Sequence, residues 1–486
     1  MTRSWLLLLN KHPVIFAFLA SVLLSVVAIL DREIISRDGA FYIYISQYAS
    51  AHGFQAAFDL FNWPWYSMLI AAGNDISGLP HELVAYVLTV LFMAGTCALT
   101  VSIVDKIYPA ARWWSVLLVL SIPVYNELRG EIIRESGFWF FVALSIWLVA
   151  TKGAASWRVG LLFQASVVLA CFFRLEAAFL VFAAGLYFLF IDRAAGLQQR
   201  LIKVVRFNSG FLLFFCSAFL YVVFFDAQLG SRIAYYSGVL DPLVFFASIE
   251  AISDQFAEVA LRRWSHSDAA VIVVSGIIFA LVWRTIVYTG VSAVLILYAA
   301  GRSELGRACS RFKLGVAAVG VYFIVLFVFF VQERFVNSRY MAVLLLMATP
   351  LLSIAVFEFS RKHEKAARFI MYVSLLFILA NVISFGDKKT HYAQVADWVK
   401  NNTSAQDRIL YDDPRIAYYA ERPWPDNNLS FQQVLDQGRQ DEYDYLMFEL
   451  VKSSAPSEEV IAGFETLADF SNRKRTIYIV RKNDRI

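Results

Sequence analysis

The chain is 486 residues long and 59% hydrophobic, with 17% charged residues and a formal net charge of +4; its mean hydropathy is +0.58. A soluble domain carries about 25% charge and about 45–50% apolar residues, so disorder, a coiled coil and an ordinary soluble enzyme are excluded. Cys97, Cys171, Cys216 and Cys309 lie in apolar runs or in a basic loop, which suggests no disulfide framework.

Apolar runs long enough to cross a bilayer as helices recur along the chain. Eleven spans are expected, at 14–30, 83–104, 113–125, 136–150, 159–173, 177–191, 207–225, 278–300, 315–331, 341–357 and 369–385. Two readings stay open: 159–191 is one run broken by Arg174 and Glu176 or two short spans, and 269–300 is one tilted helix or two. Alternate loops are basic, from Arg3 and Lys11 through Arg302–Lys313 to Arg361–Arg368. Lys and Arg resist translocation, so the N-terminus is expected in the cytoplasm and the C-terminus outside. The first span is followed by Asp31, Arg32 and Glu33 with no small-residue cleavage pattern, so it reads as a retained anchor.

This arrangement leaves a first outer loop at 31–82, a second at 226–268 and a polar tail at 386–486. The expected fold is therefore an all-α membrane domain, 1–385, with a small α/β domain after it. In the tail, Tyr392, Val395, Trp398 and Val399 have helical spacing, and β-rich runs follow at Arg408–Tyr411, Tyr443–Phe448 and Thr476–Val480. In the first loop, Phe41, Tyr44, Ile45 and Tyr48 share one helical face, as in a helix lying at the membrane interface. Asp38 stands near the start of that helix. There it is either a cap or a carboxylate held ionised for chemistry by the helix dipole.

Between residues 31 and 385 the segments placed outside contain arginine but no lysine, whereas the inside loops mix both. A guanidinium fork binds phosphate bidentately, and an ammonium does not. Three clusters stand at span ends: Arg129 with Arg134 and Glu135, Arg174 with Glu176, and Arg339 with Tyr340. Charge there is costly unless paired or functional. Each arginine alone reads as locally paired or snorkelling; together they suggest an anionic ligand. The pair Asp31 and Glu33 could form half of a divalent-metal site, a weak signal. No phosphate-binding Gly-rich loop, zinc spacing or Gly-x-Ser-x-Gly elbow is present, and no basic aromatic surface suggests nucleic acid.

The order of these motifs resembles the GT-C integral-membrane glycosyltransferases that use polyprenyl-phosphate sugars, in the branch of protein O-mannosyltransferases and lipid A aminoarabinose transferase. Arg37-Asp38-Gly39-Ala40-Phe41-Tyr42 stands where that family has Asp-Glu followed by Tyr, with Gly39 in place of Glu. Trp63-Pro64-Trp65-Tyr66 resembles the proline–aromatic segment before the second span. Arg174-Leu175-Glu176 resembles an Arg-x-Glu step between short spans, Ser338-Arg339-Tyr340 an Arg-Tyr pair entering a late span, and Asp412–Tyr419 the outer domain of bacterial members.

The resemblance implies a bacterial inner-membrane enzyme whose periplasmic site transfers a sugar from a polyprenyl phosphate to a glycan, lipid or protein. It implies direct displacement with Asp38 as base and arginines, Arg339 foremost, on the departing phosphate. Arg37, Tyr42, Trp63, Arg129, Arg134, Glu135, Arg174, Glu176 and Tyr340 complete the expected substrate contacts. A flippase or transporter would need polar or broken helices at mid-membrane, and most spans are strongly apolar with charge near their ends; Arg284 is the exception. A receptor or assembly subunit would carry its function in the tail. An O-antigen ligase or polymerase would use a diphosphate donor and a later main loop.

Overall fold

The computed structural model describes residues 12–192, 196–225, 241–290, 309–383, 388–425, 429–452 and 463–483, with residues 292, 306 and 386. Most are helical, and a helix overlaps each of the eleven expected stretches over its described residues. Among the described residues, five helices are both long and apolar enough to cross a bilayer: Pro13–Leu30, His81–Ile107, Arg263–Thr289, Lys313–Glu333 and Ser338–Ser360.

Several spans are interrupted for local reasons. The expected 113–125 span is two helices, Arg112–Ser121 and Pro123–Leu128. Ile122 leaves the helical region at ψ 117° because it precedes a proline. The 159–191 run is likewise divided. Helix Trp157–Phe173 ends where Arg174 turns extended, at φ −152° and ψ 123°; a 3-10 turn, Leu175–Ala178, then leads into helix Phe179–Leu186. A single helix, Ala269–Thr289, runs through the start of the 269–300 segment and ends at Gly290, whose φ of 63° favours glycine. Residues 291 and 293–300 lie outside the described ones. The second outer loop contains a helix, Pro242–Ala260, capped by Asp241 and packed on Ala269–Thr289.

The chain divides into two compact units. One comprises Met1–Ser25, Val90–Arg129 and Arg134–Val382. Its packing is close: a Cβ at Gly137 would lie 2.2 Å from a ring carbon of Phe173, so glycine there lets the Glu135–Lys152 helix approach Trp157–Phe173. Ala17, Cys97, Val101, Val116 and Val119 form one of its apolar cores.

The other unit comprises Val26–Thr89, Gly130–Ile133 and Ile383–Ile486, so the first loop and the tail belong together. The tail holds a sheet in the order β1-β2-β4-β3: Ile409–Leu410, Tyr445–Val451, Arg475–Lys482 and Phe464–Ser471. Strand β1 pairs parallel with β2, and the other pairs are antiparallel. Side chains alternate between sheet faces. Tyr445, Met447, Ile477 and Ile479 meet Tyr392, Val395 and Val399 of helix Thr390–Asn402. Leu446, Phe448 and Val480 meet Phe431 and Val434 from the opposite side. The expected β-rich runs become β1, β2 and β4. Strand β3 shows little burial, so it carries no alternating apolar signal. The loop contributes helices Arg37–His52 and Trp65–Ser77, packed through Ile45, Ala49 and Ala71. The Ile35 amide donates to the Tyr419 hydroxyl at 2.8 Å, tying loop to tail.

Candidate functional site

In the helical unit, four of the residues singled out from three separate segments come together. Arg174 caps the end of helix Trp157–Phe173 and is 7% exposed. Its Nη1 donates to Glu135 Oε1 at 2.7 Å, and its Nε and Nη2 clasp both oxygens of Glu176. The guanidinium carbon sits 4.4 Å from the ring centre of Tyr340, a cation–π contact. Tyr340 is held in turn by Phe329, at 4.8 Å between ring centres, and its carbonyl accepts from the Tyr322 hydroxyl at 3.2 Å. Arg134, the N-cap residue of helix Glu135–Lys152, exerts an electrostatic pull on Glu176. Among the described residues, the second oxygen of Glu135, buried, has no hydrogen-bond partner. Two arginines therefore face two carboxylates in an apolar setting, and the extended backbone at Arg174 is what turns its side chain back toward Glu135.

Arg129 stands apart from this cluster. It is wholly buried, with Nε on Asn126 Oδ1 at 2.7 Å, Nη1 on Ser21 Oγ at 2.6 Å and Nη2 near Cys97 Sγ at 3.8 Å. These bonds fasten the first helix to its neighbours. Arg339 begins helix Ser338–Ser360, where its amide donates to the N-cap Asn337 at 2.9 Å. Arg284, which sequence reasoning left unplaced, donates to the Val336 carbonyl in the turn before that helix and lies 5.9 Å from the Phe330 ring centre.

The second unit carries Asp38, Arg37, Tyr42 and Trp63. Ser36 is the N-cap of helix Arg37–His52, its side chain accepting from the Gly39 amide at 3.2 Å. Asp38 is therefore not the cap; it sits in the first turn of the helix. Gly39 is sterically required. A Cβ there would lie 2.8 Å from Ile35 Cγ2 and 3.0 Å from Ile132 Cβ, so the glutamate usual at this point of the motif has no room. Arg37 lies within electrostatic reach of Asp413. Burial alone would raise the Asp413 carboxyl, but the two-pronged bond from Arg415, at 2.8 and 2.7 Å, outweighs it and holds it below the usual carboxylate range. Tyr42 packs edge-on to Tyr66 at 5.4 Å, and Trp63 edge-on to Trp65 at 6.4 Å. The carboxylates of Asp31 and Glu33 both face the Lys388 ammonium, at 3.6 and 3.4 Å, so a cation already stands between them. Among the described residues, no three His, Cys, Asp or Glu side chains converge as a metal-binding set.

Sequence reasoning missed Lys388 and Trp424. The first has no signal beyond its charge. The second is marked by its flanking prolines, Pro423 and Pro425, and its ring lies 5.1 Å from Phe41 and 5.9 Å from Tyr44.

No protein-family model and no curated protein sequence matches the chain. Solved structures do. ArnT from Cupriavidus metallidurans in the apo state superposes over 98% of this chain and 98% of its own, with a TM-score of 0.58 and 12% sequence identity. The same protein bound to undecaprenyl phosphate superposes over 96% of this chain and 97% of its own, with a TM-score of 0.59 and 12% identity. The fold is that of ArnT. This fold agrees with the architecture that the order of motifs leads one to expect, and it accounts for nearly the whole chain, tail included.

Proposed function

We propose that this protein is a membrane glycosyltransferase that moves a sugar from a polyprenyl-phosphate donor to an acceptor on the periplasmic face. The observation that carries this reading is the end-to-end likeness to ArnT, a protein whose structure has been solved with undecaprenyl phosphate bound. The Arg174–Glu135–Glu176–Tyr340 cluster is in keeping with it, as a preorganised charged group at the end of a span, where charge is costly unless paired or functional.

In this reading an acceptor hydroxyl attacks the anomeric carbon. The new C–O bond forms as the bond to the phosphate oxygen breaks, and the sugar inverts. The electron pair leaves with the polyprenyl phosphate, and the acceptor proton passes to Asp38. A positioned base of this kind contributes about 10²–10⁴ in rate. Arg174 has three N–H groups engaged by Glu135 and Glu176; Arg339 foremost, with Arg134 or Arg174, takes the phosphate in this reading, an assignment that rests on the order of motifs.

Purified full-length protein would be incubated with polyprenyl-phosphate and polyprenyl-diphosphate sugars, and release of the lipid followed. Release of polyprenyl phosphate from the monophosphate donors is the expected result. Consumption of diphosphate donors alone would point to a ligase or polymerase, and consumption of neither would remove the transferase reading.

A further inference from the structure

The helix Arg37–His52 carries aromatic rings along one margin, and the tail adds one more. Phe41, Tyr44, Tyr48 and Trp424 are all half-buried. Trp424 lies across Phe41 and Tyr44, and Tyr44 stands 6.4 Å from Tyr48 between ring centres. The rings thus form a continuous track that starts one helical turn from Asp38.

The track is preorganised. Trp424 stands between Pro423 and Pro425, and proline fixes its own φ and restricts the residue before it. The arm is anchored just upstream, where Arg422 donates from its amide to Ala417 O and from Nη2 to the carbonyl and hydroxyl of Thr403, each at 2.9 Å. Glu421 enters the arm in the left-handed region at φ 56°. A tryptophan held this firmly on a half-open surface has already lost the freedom that ligand binding would otherwise remove.

The chemistry of the track distinguishes its occupant. Rings that anchor a helix to lipid headgroups are accompanied by Lys or Arg that meet the phosphates. After Arg37 this helix has neither; its exposed positions are Gln47, Ser50, Ala51 and His52. On this helix, aromatic rings among neutral polar groups match a pyranose ring. Its axial C–H groups pack on the negative face of the π-system while its hydroxyls stay in water. Resting on the transferase reading above, we propose that Trp424, with Phe41 and Tyr44, is a stacking subsite for a sugar ring of the acceptor, and hence that the acceptor carries a glycan.

The test is saturation-transfer NMR on the full-length protein in detergent, with maltotetraose, mannotetraose and chitotetraose as probes and a Ser/Thr-containing octapeptide as comparison. The expected result is transfer to ring C–H protons of at least one oligosaccharide, none to the peptide, an apparent Kd weakened about tenfold in Trp424→Ala, and binding retained in Trp424→Phe. Loss in both variants, an unchanged Kd in Trp424→Ala, transfer to the peptide alone, or no transfer above empty micelles would each overturn the proposal. No donor enters this experiment. Oligosaccharide binding without release of polyprenyl phosphate in the assay above would overturn the transferase reading and leave the subsite standing; release without binding would do the reverse.

Discussion

Glu135 and Arg174 are 39 positions apart in the chain and 2.7 Å apart in space, at side-chain exposures of 6% and 7%. Removing one member of a buried pair strands the other, at a cost of about 3–5 kcal/mol. Arg174→Ala leaves Glu135 and Glu176 facing each other, so it should lower the thermal midpoint strongly. Glu135→Gln keeps the shape and leaves Glu176 as partner, so its stability loss should be smaller, while turnover falls about tenfold or more as the guanidinium loses its orientation. Thermal unfolding in detergent and donor cleavage, measured on both variants, separate the two effects.

Ser36 and Asp38 divide capping from chemistry. Ser36→Ala removes the side-chain bond to the Gly39 amide and should cost about 1 kcal/mol of stability with donor cleavage largely kept. Asp38→Asn keeps that cap and should leave the thermal midpoint near that of the parent. Its turnover should drop by about 10²–10⁴-fold, as expected for a lost base. Turnover within twofold of the parent in a folded Asp38→Asn protein would withdraw Asp38 from catalysis.

The apolar stretches were legible because a run of apolar residues needs no partner to declare itself; the break at Ile122-Pro123 inside 113–125 was missed, although a proline marks it, and the division of 159–191 at Arg174 was left open. The clustering of Arg174, Glu176 and Tyr340 was legible in part, since charge at span ends demands compensation. What joins them to Glu135 depends on helix packing, set by contacts such as Gly137 against Phe173, and no spacing rule encodes that. The pairing of first loop with tail was illegible for the same reason. It rests on bonds such as Ile35 to Tyr419, 384 positions apart, and on Lys388 reaching Asp31 and Glu33. Asp38 as a possible cap illustrates a finer limit: Ser36 is an equally good capping residue two positions earlier, and only the backbone at Ser36, φ −63° and ψ 156°, decides between them.

Gly39 offers a direct test of why glycine stands beside Asp38. Gly39→Ala brings a methyl to 2.8–3.0 Å from Ile35 and Ile132, and overpacking of this kind costs about 1–3 kcal/mol. Gly39→Glu, which restores the paired acids, should be worse, with low yield of folded protein. Adding Ile35→Ala to Gly39→Ala should recover part of the loss, because it removes the Cγ2 methyl that the new Cβ meets at 2.8 Å. Thermal midpoints of the single and double variants measure this coupling; simple additivity would show that Ile35 is not the obstacle.

The tail should respond to acid through Glu449. Burial alone would raise its carboxyl, yet hydrogen bonds from His391 Nε2 at 3.0 Å, from Arg475 and from the Tyr392 hydroxyl at 3.2 Å outweigh burial and hold it below the usual carboxylate range. A carboxyl depressed in the folded state binds fewer protons there than in the unfolded chain, so stability increases with pH across the interval between the two values. The contribution is complete above about pH 4.5, the ordinary range for Glu, and is lost as pH falls through the lower, folded value. Glu449→Gln removes the charge that Arg475 meets and should destabilise the sheet by about 1.5–3 kcal/mol at pH 7. In more acid solution the parent loses that advantage, so the two proteins should converge. Hydrogen exchange of the paired amides in β2 and β4, compared between parent and variant at pH 7 and in acid below the folded carboxyl's own value, reads the effect where Glu449 lies opposite Ile477. A constant difference in protection across that interval would mean that Glu449 acts by packing and not by charge.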